Sequence, residues 1–161
     1  MQRVRFLFVG LLAFMTVLSQ GYSAAPAAET TAGAFISSAA ATKFVRVPFL
    51  PKCMAVALEQ GDPRTGPSVI LARIDSGCVI PWHWHTSNTR LVFIRGHVLH
   101  RTKDQTGFSD VYGGDMIYLR SHHVHWAKCI SACLVYNISD ARDVSHWVDP
   151  SGKDIPLAQA V

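Results

Sequence analysis

Residues 77–96, GCVIPWHWHTSNTRLVFIRG, decide how the rest of the chain is read. His83 and His85 stand one residue apart, between a proline-bearing lead-in and an apolar run that ends at Gly96. Successive side chains of a β-strand point to opposite faces, so residues i and i+2 share a face. His-Trp-His on a strand therefore aims two imidazoles at one point, which is half of a metal site. The other half has to come from elsewhere in the chain.

Outward from this stretch the same texture repeats. From Lys43 the chain consists of short β-branched or aromatic runs separated by turn residues. FVRVPFLP is extended, because Pro48 and Pro51 discourage a helix. CMAVALEQ carries helix-forming residues but is too short before Gly61 to nucleate a helix by itself, so it stays open between strand and short helix. GDPRTGP is a dense turn cluster, and SVILARI, VIPWHWH, TRLVFIR, HVLHRTK, DMIYLR, HVHWAKC and CLVYNI follow, with turns between them. Many short strands at regular spacing predict an all-β sandwich or barrel. There is no repeat at a fixed period.

The segment before this domain has a different character. Arg3 and Arg5 precede an apolar run of 13 residues, Phe6 to Leu18, and small residues follow in GYSAAPAA. Spanning a bilayer takes about 20 residues. The pattern is that of a secretory signal peptide over 1–25, so the expected product is exported, periplasmic or extracellular, with no membrane span after cleavage. Residues 26–42 are small and polar and read as a flexible leader, the domain as 43–150 and the tail as 151–161. Without Arg3 and Arg5 the chain has 13 basic and 11 acidic residues, a net charge of about +2. No basic run remains, so nucleic acid is excluded as the expected partner.

Cys53, Cys78, Cys129 and Cys133 would all belong to that exported product, where disulfides persist. Four cysteines allow three pairings. Cys129 and Cys133 flank Ile130-Ser131-Ala132 and fit a hairpin tip with the two sulfurs facing across it, Cys53–Cys78 then being the second bridge; four buried thiols is the alternative. A Cys-x-x-Cys motif is absent, which argues against disulfide-exchange chemistry.

Of the eight histidines, His122, His123 and His125 form a second cluster, about 40 residues after the first. That spacing suits an antiparallel return to the same place. On one strand His123 and His125 would share a face. Imidazoles from two neighbouring strands can make a facial set of three nitrogen ligands and leave coordination positions open. Nucleophile elbows, phosphate loops and His-Glu-x-x-His are absent.

Gly77-x5-His83-x-His85, followed by Gly96, resembles the first cupin motif, G-x5-H-x-H-x3,4-E-x6-G. Gly114-x10-His125 resembles the second, G-x5-P-x-G-x2-H-x3-N. The Gly61-Asp62-Pro63 turn, the Pro-x-His-Trp-His core and the late Asp149-Pro150 are similar to those of exported single-domain cupins, and the resemblance runs from Phe44 to Pro150. It implies a small jelly-roll-like cupin β-barrel, a homodimer, a small-molecule ligand and a divalent metal on His83, His85 and His125. The family's glutamate falls on Thr89 when counted back from Gly96, placing Thr89, Leu91 and Phe93 inward and Arg90 outward. A count of four from His85 picks Arg90 instead. Arg120, His122 and Cys129 occupy the proline, glycine and asparagine positions of the second motif.

Three neutral ligands leave the ion's +2 charge uncancelled, which favours anionic substrates or a metal-bound hydroxide, and nitrogen ligands suit Zn, Fe, Ni or Cu better than Mg or Mn. Two functions follow from the resemblance: a metal- and small-molecule-binding cupin, or a metal-dependent oxygenase-, isomerase- or hydrolase-like enzyme acting on a small oxygen-rich substrate. A degenerate, metal-free binding cupin is the third reading. His123 and Thr89 are the candidate catalytic helpers. His97 and His100 face opposite sides of one strand, so at most one of them points inward. Trp82 and Trp84 lie opposite the histidines and read as packing or an oligomer contact. Phe93 and Tyr118 are candidates to line the cavity, with core filling as the default.

Overall fold

A computed structural model describes residue 34 and residues 36–160 of the chain. The expected signal segment and most of the leader lie outside the described residues. The strands are β1 (Met54–Gly61), β2 (Ser68–Ile74), β3 (Val79–His85), β4 (Thr89–Arg95), β5 (His97–Thr102), β6 (Ser109–Tyr112), β7 (Met116–Leu119), β8 (His125–Cys129), β9 (Cys133–Ser139) and β10 (Ser145–Trp147). A four-residue helix, α1 (Leu157–Ala160), follows. The ambiguous CMAVALEQ stretch is strand: β1 pairs along its length with β2, so ladder hydrogen bonds outweigh local helix propensity.

The strands form two antiparallel five-stranded sheets, ordered β1-β2-β9-β4-β7 and β10-β3-β8-β5-β6. This is the expected all-β, jelly-roll-like cupin architecture. Among the described residues hydrogen bonding does not run from one sheet to the other, so the two sheets do not close into a continuous barrel. The chain crosses between sheets at corners, from β3 to β4 and from β4 to β5. Gly96 makes the second of these corners at φ 108°, and a Cβ there would stand 2.5 Å from Cys133 Sγ. An L side chain fits neither that dihedral nor that space.

Pairing register divides the space between the sheets into two ends. At one end Ala72, Ile74, Cys78, Phe93, Val98, Val111, Ala127, Cys129, Cys133 and Val135 pack as the apolar core. The other end is polar. In the first sheet Ser68 pairs with Ser139, which pairs with Thr89, and all three are buried. In the second sheet Trp147 pairs with His83 and His83 with His125. The core holds the sheets together at one end while the chemistry-bearing groups gather at the other.

Cys53 and Cys78 form a disulfide, joining the approach to β1 to the approach to β3. Cys129 and Cys133 are free and buried. They do not flank a hairpin tip, because β8 and β9 belong to different sheets and Ile130-Ser131-Ala132 turns a corner between them. The thiol–thiol hydrogen bond to Cys133, together with burial, pushes the Cys129 thiol up, away from thiolate. None of the described helices is long and apolar enough to cross a membrane.

Candidate metal centre

His83 and His85 leave β3 on its inward face, as the period of two requires, and both are buried. His125 opens β8, directly opposite His83 in the register. One ring nitrogen from each of the three lies within 4.8 Å of the others. Ring centroids are 4.0 Å apart for His83–His125, 5.1 Å for His83–His85 and 5.4 Å for His85–His125.

The outer nitrogens decide what this cluster is for. His83 Nδ1 donates to the Pro81 carbonyl at 2.7 Å, and His125 Nδ1 donates to the His123 carbonyl at 3.0 Å. His85 Nδ1 donates to Asp143 Oδ2 at 3.0 Å. A carbonyl or carboxylate oxygen only accepts, so each Nδ1 carries a proton, and in the neutral ring each Nε2 keeps its lone pair. No protein hydrogen bond engages these Nε2 atoms among the described residues. Imidazoles fixed in this tautomer by outer oxygens are the usual form of metal-ligating histidine.

Electrostatics reinforces the neutral state. Burial, then the neighbouring His85, lowers His83 to about 3. Burial, followed by His83 and His85, lowers His125 well below the usual imidazole range. Asp143 was not singled out in the sequence, since nothing near it marks the contact. Burial works against its charge, but hydrogen bonds from His85, the Ser87 N–H and Ser139 outweigh this and hold the carboxyl below its ordinary value. Asp143 thus ties His85 in the second sheet to Ser139 in the first.

Thr89 is completely buried, and its Oγ1 has no hydrogen-bond partner among the described residues. Phe93 is also inward, while Arg90 turns out to Asp140 at 2.5 Å and lies over the Tyr118 ring. The count that placed Thr89, rather than Arg90, at the family's glutamate position agrees with these directions. Tyr118 is exposed and lines no inner cavity, because Leu119 takes the inward parity of β7.

His123 is not brought into the set. The chain turns at His122 (φ 62°) and β8 begins only at His125, so His123 precedes the strand and does not share the face of His125. The His123 ring is part-exposed and stands 3.6 Å from Asp104. Of the pair on β5, His100 is the inward one. It is buried, its ring is 5.6 Å from that of His125, and burial followed by His123 lowers it to about 4. His97 instead turns out to Asp110 at 2.6 Å. On the outer face Trp84 is stacked between His122 and His146, at 4.4 and 3.9 Å.

Two facing antiparallel sheets, with histidines from adjacent inner strands, are the architecture this chain shares with solved cupin structures. No family model matches the chain. No curated protein matches it either. Among solved structures, the chain is similar to an acetylacetone dioxygenase from Acinetobacter johnsonii, with TM-score 0.61 and 19% identity over 81% of this chain and 89% of that one. It is also similar to a putative acetylacetone dioxygenase from Methylibium petroleiphilum, with TM-score 0.62 and 16% identity over 76% and 85% of the two chains. An RmlC-like cupin protein from Ralstonia eutropha gives TM-score 0.59 and 17% identity over 73% and 74%. At such identities the likeness extends to the fold.

Proposed function

We propose that this chain is an exported cupin that holds a divalent transition metal through His83, His85 and His125 and binds a small, oxygen-bearing molecule beside it. One observation carries the reading: all three Nδ1 protons are spent on oxygens, leaving three converging nitrogens with free lone pairs. Packing alone does not require that tautomer three times over. The all-imidazole donor set fits Zn, Fe, Ni or Cu. When bound, such an ion supplies Lewis acidity toward an oxygen ligand in the open positions.

The chain's own residues orient and seal the site. Asp143, the Pro81 carbonyl and the His123 carbonyl hold the three rings, and Trp147 lies 5.0 Å from the His83 ring. Thr89 Oγ1, buried and without a partner among the described residues, can hydrogen-bond an oxygen of the guest. Export is supported by the N-terminal segment and by the Cys53–Cys78 disulfide, which suits an oxidising compartment. The resemblance implies a homodimer, and Ile94, Met116 and Tyr118 are exposed apolar side chains on β4 and β7. Light scattering on the purified protein measures that state.

A second reading, a metal-dependent enzyme, draws on the open coordination positions and on the two structural neighbours named as known or putative acetylacetone dioxygenases. The discriminating experiment loads the protein with Fe(II) or Zn and follows oxygen uptake and product formation with carboxylic acids, diketones, sugars and phenols. Saturable binding without turnover supports the binding cupin; turnover abolished by His125→Ala supports the enzyme.

A further inference from the structure

Three buried side-chain atoms lack any hydrogen-bond partner among the described residues: Ser68 Oγ, Thr89 Oγ1 and His100 Nε2. All three lie toward the polar end of the space between the sheets. His100 is the most demanding of them. An unsatisfied buried polar group costs about 1–3 kcal/mol. Two residues earlier on β5 the inward position is Val98, fully buried among apolar neighbours, so this strand accepts an aliphatic side chain on that face. Filling space therefore does not explain an imidazole at position 100.

The surroundings of His100 narrow its role. It pairs with Ala127, while its neighbour two residues on, Thr102, pairs with His125. It stands beside the cluster without joining it, since only His83, His85 and His125 bring nitrogens within 4.8 Å of one another. Their Nδ1 atoms are anchored to protein oxygens, whereas His100 has its Nε2 free and no anchor pulling the ring away. With its proton on Nε2, the ring would donate to something the described residues do not supply. The three ligands are uncharged and Thr89 replaces the family's acid, so an ion held there keeps its +2 charge and attracts an anion. Asp143, the carboxylate that meets His85, is already engaged by His85 and Ser139.

We propose that His100 is a positioning residue whose Nε2–H hydrogen-bonds a small monoanion, of the carboxylate class, seated in the open positions of the three-histidine centre. This rests on the metal reading above and names the guest's chemistry. The test loads the full protein with Co(II), establishes metal content first, and then titrates sodium azide while following the visible spectrum. His100→Leu should keep one Co(II) per chain, raise the melting temperature of the metal-free protein by removing the orphan group, and bind azide about tenfold more weakly, about 1.4 kcal/mol. His100→Gln, which retains an N–H, should recover most of that affinity. A merely structural imidazole would instead lower the melting temperature and leave azide binding alone. As a check that needs no variant, azide added to Zn-loaded, 15N-histidine-labelled wild type should shift the His100 ring nitrogens and leave those of outward-facing His97 in place.

Unchanged azide affinity in both variants, or a silent His100 resonance, overturns the proposal while the metal reading stands. Loss of Co(II) from His100→Leu also overturns it, because His100 would then be a ligand. A wild type that takes up no Co(II) sinks the metal reading and this inference together, and does so before any azide is added.

Discussion

Acidifying the metal-free protein from pH 7 to pH 5 should remove about 4 kcal/mol of stability through two imidazoles alone. Burial lowers His83 to about 3 and His100 to about 4, against 6.5 for the unperturbed ring. In the unfolded chain both rings take a proton as the pH passes below 6.5, while in the folded chain they stay neutral. The unfolded state then binds more protons, so stability is complete above 6.5 and is lost as the pH falls toward the folded values. Each pH unit is worth about 1.4 kcal/mol per ring, or about 2 kcal/mol each by pH 5. His125, lowered in the same direction, adds to the loss. Asp143 adds nothing in this window, because the stability from its lowered carboxyl is lost only as the pH falls below the ordinary value of 3.8. For a domain with about 5–15 kcal/mol in total this is a large fraction. Urea denaturation in EDTA at half-unit intervals measures the slope, and a parallel series with Zn should move the acid transition downward, since metal and protons compete for the same nitrogens. A midpoint that stays flat from pH 7 to pH 5 in EDTA would refute the reasoning.

Three other outcomes follow from the same structure. Asp143→Asn removes the carboxylate that fixes the His85 tautomer and should weaken metal affinity about 10- to 100-fold, read by competition with a chelating dye. Thr89→Glu places a carboxylate at the inward position of β4 and should tighten metal binding in the same assay, while Arg90→Glu, on the outer face, should change it little. Replacing Cys53 and Cys78 together by serine opens a link between residues 25 apart and should cost about 3 kcal/mol in denaturant titrations.

Local periodicity carried most of the architecture. Alternation through VIPWHWH gave β3 and its inward histidines, and counting back from Gly96 oriented β4 correctly, because both depend only on the pleat. What stayed hidden depends on geometry that alternation does not encode. His123 was expected beside His125, but β8 begins only at His125, so His123 lies outside the strand and alternation does not relate the two. Cys129 and Cys133 looked like a hairpin pair because nothing in Ile130-Ser131-Ala132 marks a change of sheet. Asp143 meets His85 across 58 residues, from a stretch of mixed texture with no pattern of its own. His100 had a faint signal in its shared parity with Val98, blurred by Leu99 on the other face.

The metal centre depends on the three free nitrogens of His83, His85 and His125. Metal analysis of the purified protein, after loading with Zn or Fe(II) and removal of excess, should find one ion per chain. His125→Ala and His83→Ala should each lose it while remaining folded by circular dichroism. Wild type without stoichiometric metal, or variants that retain it, would contradict the assignment of His83, His85 and His125 as a metal centre.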